Sequence, residues 1–146
     1  MLQRGPRSWE LGLAGYLRAV SAVVGVLPGG VGRDFDPPAA YLALSRRCDR
    51  HPEHGLLLVW SAESGWDLVL EHTEHRPGEV LARLGDPLVP EPAHVARFVD
   101  EVLAGQREGG PPARGAASGL AELLSGYSVL ALPPGRVWMP GPDRLG

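Results

Sequence analysis

The stretch Gly55–Glu71, GLLLVWSAESGWDLVLE, decides how this chain folds. Its two short apolar runs flank a small, polar segment, which is the pattern of two strands joined by a tight turn. If Trp60 lies opposite Trp66, both tryptophans share one face of the hairpin with four leucines: Leu56, Leu58, Leu68 and Leu70. A shift of one residue would place Asp67 and Glu71 on that apolar face instead. The sequence therefore predicts a hairpin whose tryptophans pack in the core and do not form an exposed binding platform.

The opposite face of the hairpin is also apolar. It carries Leu57, Val59 and Val69, and we expect Leu42 and Leu44 of the preceding segment to join them. A two-layer domain usually leaves the outer face of its sheet polar. We therefore predict that Leu57, Val59 and Val69 form an interaction surface, covered by residues 120–132 or by a second subunit.

Two helices are predicted, one before and one after the strands in the sequence. Apolar residues recur at steps of three and four from Trp9 to Leu27, and Pro28 is expected to end that first helix. The second helix begins at Pro92, a position that tolerates proline, and ends before Gly105. Its apolar stripe has helical spacing: Val95, Phe98, Val99, Val102 and Leu103.

The segments between these elements complete the fold. Residues 39–46 and 79–84 are predicted strands, whereas residues 28–38, PGGVGRDFDPP, have the composition of a loop. That loop is not a phosphate-binding loop, because it lacks both the GxGxxG order and a GK[ST] ending. The predicted fold is α+β, a two-layer sandwich in which an antiparallel sheet of about four strands carries two helices on one face, in the order α-β-β-β-β-α.

The predicted domain covers residues 8–105 and follows a flexible N-terminus, residues 1–7. Residues 106–119 are rich in Pro and Gly and are interpreted as a linker. Residues 120–146 are interpreted as a C-terminal extension that is partly ordered or docks on the domain. Within it, residues 120–132 have the pattern of a short helix and a strand, and Trp138 is unusual for a disordered tail.

Composition excludes several classes of protein. The 146 residues carry a formal net charge of -3, so nucleic acid is an unlikely partner. The sequence has no apolar run long enough to cross a membrane and no secretory signal, and its single Cys48 cannot form an internal disulfide, which together predict a cytoplasmic protein. Lys, Ile and Asn are absent while Gly and Pro are abundant, the codon bias of a GC-rich genome. Glycine-rich loops therefore carry little functional weight here.

Four histidines are the candidates for a metal site. The predicted register of the hairpin brings His54 opposite His72 and His51 near His75, with Cys48 close by. Imidazoles and a thiolate bind Zn²⁺, although a structural zinc site usually uses several cysteines. Solvated loop histidines are the simpler interpretation. The one basic cluster, at residues 46–50, is likewise interpreted as a solvated turn and not as a phosphate site.

Four segments resemble an actinobacterial family of unknown function, the domain of unknown function 6292. They are LAGYLRAVSAVVGV at 13–26, AAYLAL at 39–44, LLLVWSAESGWDLVLE at 56–71 and VPEPAHVARFVDEVL at 89–103. The resemblance spans residues 8–105. It implies the domain boundaries and an actinobacterial, cytosolic setting, and it brings no activity, cofactor or catalytic residue.

The sequence leaves more than one function open. Apolar surface without a convergent polar site favours a non-catalytic protein-interaction or adaptor domain, which binds a protein partner or self-associates. No catalytic residue and no cofactor are expected in that case. The alternatives are a metal-binding protein or metal-dependent enzyme that uses His51, His54, His72 and His75, and a small-molecule sensor with a pocket between helices and sheet.

Overall fold

A computed structural model describes residues 8–35, 38–71, 78–115 and 119–127 of the chain. The architecture is α+β, with a five-stranded antiparallel sheet and three helices among these residues. In chain order, the elements are α1 (Ser8–Val24), β1 (Val26–Phe35), β2 (Pro38–Leu44), β3 (Leu56–Ser61), β4 (Gly65–Leu70), β5 (Glu79–Arg83), α2 (Pro92–Leu103) and α3 (Leu120–Leu124). No helix in the described ranges is long and apolar enough to cross a bilayer.

The sheet is a simple meander in which each strand pairs with the next, in the order β1-β2-β3-β4-β5. The predicted register of the central hairpin is confirmed, since Trp60 pairs with Trp66, Leu58 with Leu68 and Leu56 with Leu70. Burial alternates along β3 because successive side chains point to opposite faces. We call the buried face the inner face and the opposite one the outer face.

The core of this sheet lies on the inner face. Trp60 and Trp66 are fully buried there. The helical stripe predicted for α2 is confirmed at four positions, all of them buried: Val95, Phe98, Val99 and Val102. Proline occupies the first turn of α2, where its missing N–H removes no helical hydrogen bond.

The prediction of a loop at residues 28–38 was wrong over most of its length, because residues 26–35 form the edge strand β1. The strand pairs with β2 from Val31 to Phe35, after a register shift between Val26 and Val31. The Pro and Gly content of this segment predicted a loop, but an edge strand tolerates both residues because it needs hydrogen bonds on one side only. The fifth strand and the third helix correct the predicted count of about four strands and two helices.

The first helix also ends earlier than predicted. It stops at Val24, and Gly25 follows with φ +81°, a left-handed conformation that suits glycine after a helix. Leu27, assigned to the apolar stripe of the helix, belongs to β1 and is exposed. The stop signal is therefore Gly25, three residues before Pro28.

The chain divides into two compact units, residues 20–118 and a second unit of residues 1–19 with 119–146. In the second unit, α1 and α3 make close contact. A Cβ atom built on Gly12 would lie 2.5 Å from the carbonyl oxygen of Leu124, and the rings of Tyr16 and Tyr127 are 4.9 Å apart, edge to face. The helix predicted within residues 120–132 is α3, whereas residues 128–132 lie outside the described part of the chain.

Candidate functional site

The outer face carries apolar side chains across four neighbouring strands. Tyr41 of β2 lies opposite Val59 of β3, and Leu57 of β3 lies opposite Val69 of β4. Val69 in turn pairs with Val80 of β5. Directly paired residues in an antiparallel sheet point to the same side, so these five side chains form one continuous patch.

These side chains are accessible to different degrees. Tyr41 is 46% exposed and Val80 is 41% exposed, while Leu57, Val59 and Val69 are half-buried. Leu42 and Leu44, which were predicted to join this face, are buried on the inner face, and that prediction was wrong. The pairing of Leu42 with Leu58 sets the phase of β2 and turns Tyr41 outward instead.

A shallow concavity of about 600 Å³ lies over the β1 to β3 side of the outer face. Its walls include the aromatic ring of Tyr41 and the side chains of Leu57 and Val59. The ring extends over Gly32 of β1, its partner in the pairing of the two strands, and fills the space that a side chain at position 32 would occupy. An aromatic residue that covers a glycine across an edge pair is a known way to pin the register of a sheet.

Charged groups border the apolar patch. The residues that line the concavity include the acidic Asp34 and Glu71. On the β4 side, Asp67 lies opposite Arg83, with Arg83 Nε 3.7 Å from Asp67 Oδ2. Burial raises the pKa of Asp67 above its ordinary value, and the charge of Arg83 offsets part of that effect.

The two tryptophans are not part of this site. Both are fully buried on the inner face, as the register predicted, and the Nε1–H of Trp60 donates a hydrogen bond to the carbonyl oxygen of Leu88 at 2.9 Å. The indole N–H is thus satisfied inside the core. An aromatic platform made of Trp60 and Trp66 is therefore excluded.

The structure describes half of the predicted histidine cluster. The rings of His51 and His54 are 6.5 Å apart in the turn before β3. The Nδ1 atom of His54 is buried and has no hydrogen-bond partner within the described ranges. His72 and His75 lie outside the described residues. Across the ranges that are described, no three His, Cys, Asp or Glu side chains are grouped to hold a metal ion.

Backbone hydrogen bonds link His51 and His54 to Cys48. The N–H of His51 donates to the carbonyl oxygen of Cys48, and the N–H of His54 donates to that of His51. The thiol of Cys48 is buried and free. The hydrogen bond from Glu71 N–H to the carbonyl oxygen of Gly55 continues the hairpin ladder up to this turn.

The arginines of the basic cluster are all engaged. Arg46 pairs with Asp100 at 2.6 Å, Arg47 donates to the carbonyl oxygen of Pro52, and Arg50 donates to that of Val102 in the last turn of α2. A guanidinium near the last carbonyls of a helix stabilises the helix end. The contacts of Arg46 and Arg50 therefore hold the turn against α2.

Sequence reasoning identified Leu57, Val59 and Val69 but missed Tyr41, Gly32 and Val80. The sequence contains a signal for Tyr41, because AAYLAL alternates and its two possible phases place either Tyr41 or Leu42 outward. Leucine is buried more often than tyrosine, because its side chain has no polar group that needs a hydrogen-bond partner. That argument would have selected the correct phase.

Comparison with known proteins places the chain in a family without assigning an activity. No curated protein and no solved structure matches the chain. Residues 16–101, more than half of the chain, match the model of a family of unknown function, DUF6292. The match contains the whole sheet and nearly all of α2. The chain therefore belongs to the DUF6292 family of unknown function.

Proposed function

We propose that this protein is a non-catalytic interaction domain that binds a protein partner through the outer face of its sheet. One observation carries the proposal: Tyr41, Leu57, Val59, Val69 and Val80 form a continuous apolar patch on the solvent side of a sheet whose other side is the core. Contiguous apolar surface bordered by charged groups is typical of binding sites for proteins.

The charges at the border favour a partner other than a second copy of the chain. Two acidic residues, Asp34 and Glu71, are among those that line the concavity. An apolar surface bordered by Arg or Lys side chains complements this arrangement better than the same acidic border repeated. The buried free thiol of Cys48 suits a reducing compartment, so we place the interaction in the cytosol.

Site-specific photo-crosslinking in the native host tests the proposal. A photoreactive benzoylphenylalanine replaces Tyr41 in one variant and Val59 in a second, and it replaces Val23 in the control. Val23 is 50% exposed on α1, so it offers an exposed apolar position that is not part of the sheet. We expect one defined protein to be cross-linked from positions 41 and 59 and not from position 23.

A charge placed in the patch completes the experiment. Val59→Asp should abolish cross-linking from position 41, because an uncompensated carboxylate would have to be buried in the complex. The matched substitution Val23→Asp should leave cross-linking unchanged. Equal yields from positions 23, 41 and 59 would contradict the proposal. Cross-links between two copies of the chain would support the outer face as the binding surface and would identify a second copy as the partner.

We propose metal binding as a second candidate function, which the buried and unpartnered Nδ1 atom of His54 favours among the residues that the structure describes. The hydrogen bond from the N–H of Glu71 to the carbonyl oxygen of Gly55 continues the ladder up to the turn that contains His54. The candidate ligands are His51, His54, His72 and His75. Elemental analysis of protein purified without a histidine tag tests this candidate. About one equivalent of metal, lost in the double variant His51→Ala/His54→Ala, would support it, and less than about a tenth would contradict it.

A further inference from the structure

The segment Gln106–Gly115, which we call the strap, lies along the free edge of β5. Gly109 N–H donates to the carbonyl oxygen of Leu81 at 2.9 Å, and Arg83 N–H donates to the carbonyl oxygen of Gly109 at 2.7 Å. These two bonds form a parallel bridge between Gly109 and Ala82. The strap therefore takes the place that a sixth strand would occupy.

Past β5, the strap continues to the turn between β3 and β4. Ala113 N–H donates to the carbonyl oxygen of Ser64 at 2.8 Å, and Arg114 N–H donates to Asp86 Oδ1 at 2.8 Å. Ala113 is buried, and its methyl group would lie 2.9 Å from a Cβ atom built on Gly65. At the start of the strap, Arg107 donates to the carbonyl oxygen of Leu84 at 3.0 Å, pairs with Glu101 at 3.3 Å and lies over the ring of Phe98. Beyond this anchor, the strap is held through its backbone and through a seat that admits one small side chain.

Little apolar surface holds the strap in place. Ala113 is its one buried residue and Arg107 is half-buried, while its other residues are exposed. By contrast, α2 buries four apolar side chains. Segments with few buried contacts and solvent-exposed hydrogen bonds open locally, far more often than the whole domain unfolds. When the strap opens, it uncovers the unpaired backbone groups of an edge strand, which are a template for another strand.

We propose that the strap is a displaceable cover and that the edge of β5 beneath it is a strand-acceptor site for an extended segment of a partner protein. The acceptor offers the Leu81 and Ser64 carbonyl groups and the Arg83 N–H. The partner segment runs parallel to β5 and carries Ala or Gly at the position of Ala113. This mode of recognition adds a strand to an exposed edge, with affinity from main-chain hydrogen bonds and specificity from side-chain seats.

Because the strap is tethered to the domain, a free segment must compete with it for the edge of β5. A short flexible connection gives an effective concentration on the order of millimolar. A strap whose own intrinsic Kd for the edge is about 10–100 µM therefore weakens the binding of a free segment about 10- to 100-fold. Loosening the strap should restore the intrinsic affinity.

Amide hydrogen exchange on the unmodified full-length protein tests whether the strap is displaceable. The amides of Arg83, Gly109 and Ala113 should exchange at least about 100-fold faster than those of Leu58 and Leu68, and at rates that low concentrations of urea do not change. Exchange of the strap amides at the rate and with the urea dependence of global unfolding would overturn the proposal.

A synthetic peptide tests the acceptor site. The probe is the fluorescein-labelled strap sequence QREGGPPARG, added to the full-length protein and to the variant Ala113→Glu, whose strap no longer fits its seat. The variant should bind the peptide at least about tenfold more tightly than the wild type, because the tethered competitor is weakened. Pro112→Glu, which places the same charge on an exposed neighbour, should bind it as the wild type does.

A peptide in which Ala is replaced by Glu should bind neither protein. Failure of Ala113→Glu to gain affinity while it remains folded would overturn the assignment. Dimers of the wild type held by exchanged straps, seen by sedimentation, would also overturn it, because the occupant would then be a second copy. If Ala113→Glu does not fold, the amide exchange rates of the wild type alone test the proposal.

Discussion

Asp67 and Arg83 lie directly opposite each other on β4 and β5, and the carboxylate is poorly compensated. Its Oδ2 atom is 3.7 Å from Arg83 Nε, beyond hydrogen-bond length, and its Oδ1 atom is buried with no hydrogen-bond partner among the described residues. Burial raises the pKa of Asp67 more strongly than Arg83 lowers it. The outer face therefore contains a carboxylate whose charged form the fold disfavours.

We expect Asp67→Asn to change the pH dependence of stability. Because the pKa of Asp67 is raised in the folded state, the folded protein binds this proton more tightly than the unfolded chain does, with a pKa near 3.8 in the latter. The stability that this carboxyl contributes is fully present below pH 3.8 and is lost as the pH rises through the folded-state pKa. Wild type should therefore lose stability relative to the variant over that window, and the variant should be at least as stable at neutral pH.

Urea unfolding at closely spaced pH values from acid to neutral measures this difference. Glu63→Gln is the control, since it neutralises an exposed carboxylate of the same unit. A wild type that gains stability relative to Asp67→Asn as the pH rises would show that the pairing with Arg83 dominates over burial, contrary to our expectation.

Two neighbouring residues of β3 should differ in how much they contribute to the stability of the domain. Leu58 is fully buried on the inner face, and Leu58→Ala should cost about 3–4 kcal/mol through lost burial and a residual cavity. Val59 is half-buried on the outer face, and Val59→Ala should cost about 1 kcal/mol or less. Urea unfolding of both variants measures the difference. Equal losses would mean that the outer face is as well packed as the core.

The hairpin could be predicted because two physical constraints agree there. Strand alternation and the burial of two tryptophans select one register, and each alternative exposes leucines or buries carboxylates. The edge strand β1 has no such constraint. Its sequence, VLPGGVGRDF, carries three glycines and a proline, and its conformation depends on pairing with β2, which is a tertiary interaction.

The outer face was predictable in part for the same reason. Its β3 and β4 members follow from the register of the hairpin, whereas the phase of β2 depends on the connection at residues 45–55, which no local pattern specifies. The outward direction of Val59 thus follows from the hairpin itself, whereas that of Tyr41 follows only from the separate preference for burying Leu42 and Leu44. The strap shows the opposite case. Its Gly and Pro content predicts a linker, whereas its backbone hydrogen bonds pair it with the edge of β5.

Gly12→Ala should destabilise the contact between α1 and α3, although the same change usually strengthens a helix. The usual gain is about 1 kcal/mol. Here the added methyl group would lie 2.5 Å from the Leu124 carbonyl oxygen and 2.7 Å from its Cβ, so that two backbones must move apart. We expect overpacking to cost about 1–3 kcal/mol and to exceed the gain.

Limited proteolysis within residues 119–127 and the near-ultraviolet signal of Tyr16 and Tyr127 report this contact. We expect faster cleavage and a weaker tyrosine signal in Gly12→Ala. Gly126→Ala is the matched control, because no atom lies within 4 Å of its added Cβ. If Gly12→Ala resisted cleavage better than wild type, helix propensity would outweigh the clash.

Gly32→Ala should change the outer face while it leaves the stability of the domain nearly intact. The added methyl group would overlap the ring of Tyr41, with Cε2 and Cζ as its nearest neighbours. Because that ring is 46% exposed, it can swing toward solvent, and we expect a cost below about 1 kcal/mol. The swing would remove the wall that Tyr41 contributes to the concavity beside Val59.

Two measurements follow the ring. The Hα resonances of Gly32 are expected upfield in the wild type, since the ring lies over this residue, and the alanine introduced at position 32 should lose that shift. Photo-crosslinking from position 59 should fall about tenfold in Gly32→Ala and stay unchanged in Tyr41→Phe, which keeps the ring and removes only its hydroxyl group. An unchanged yield in Gly32→Ala, together with a displaced ring, would mean that the partner contacts the β4 and β5 side of the outer face, around Val69 and Val80, and does not use the concavity.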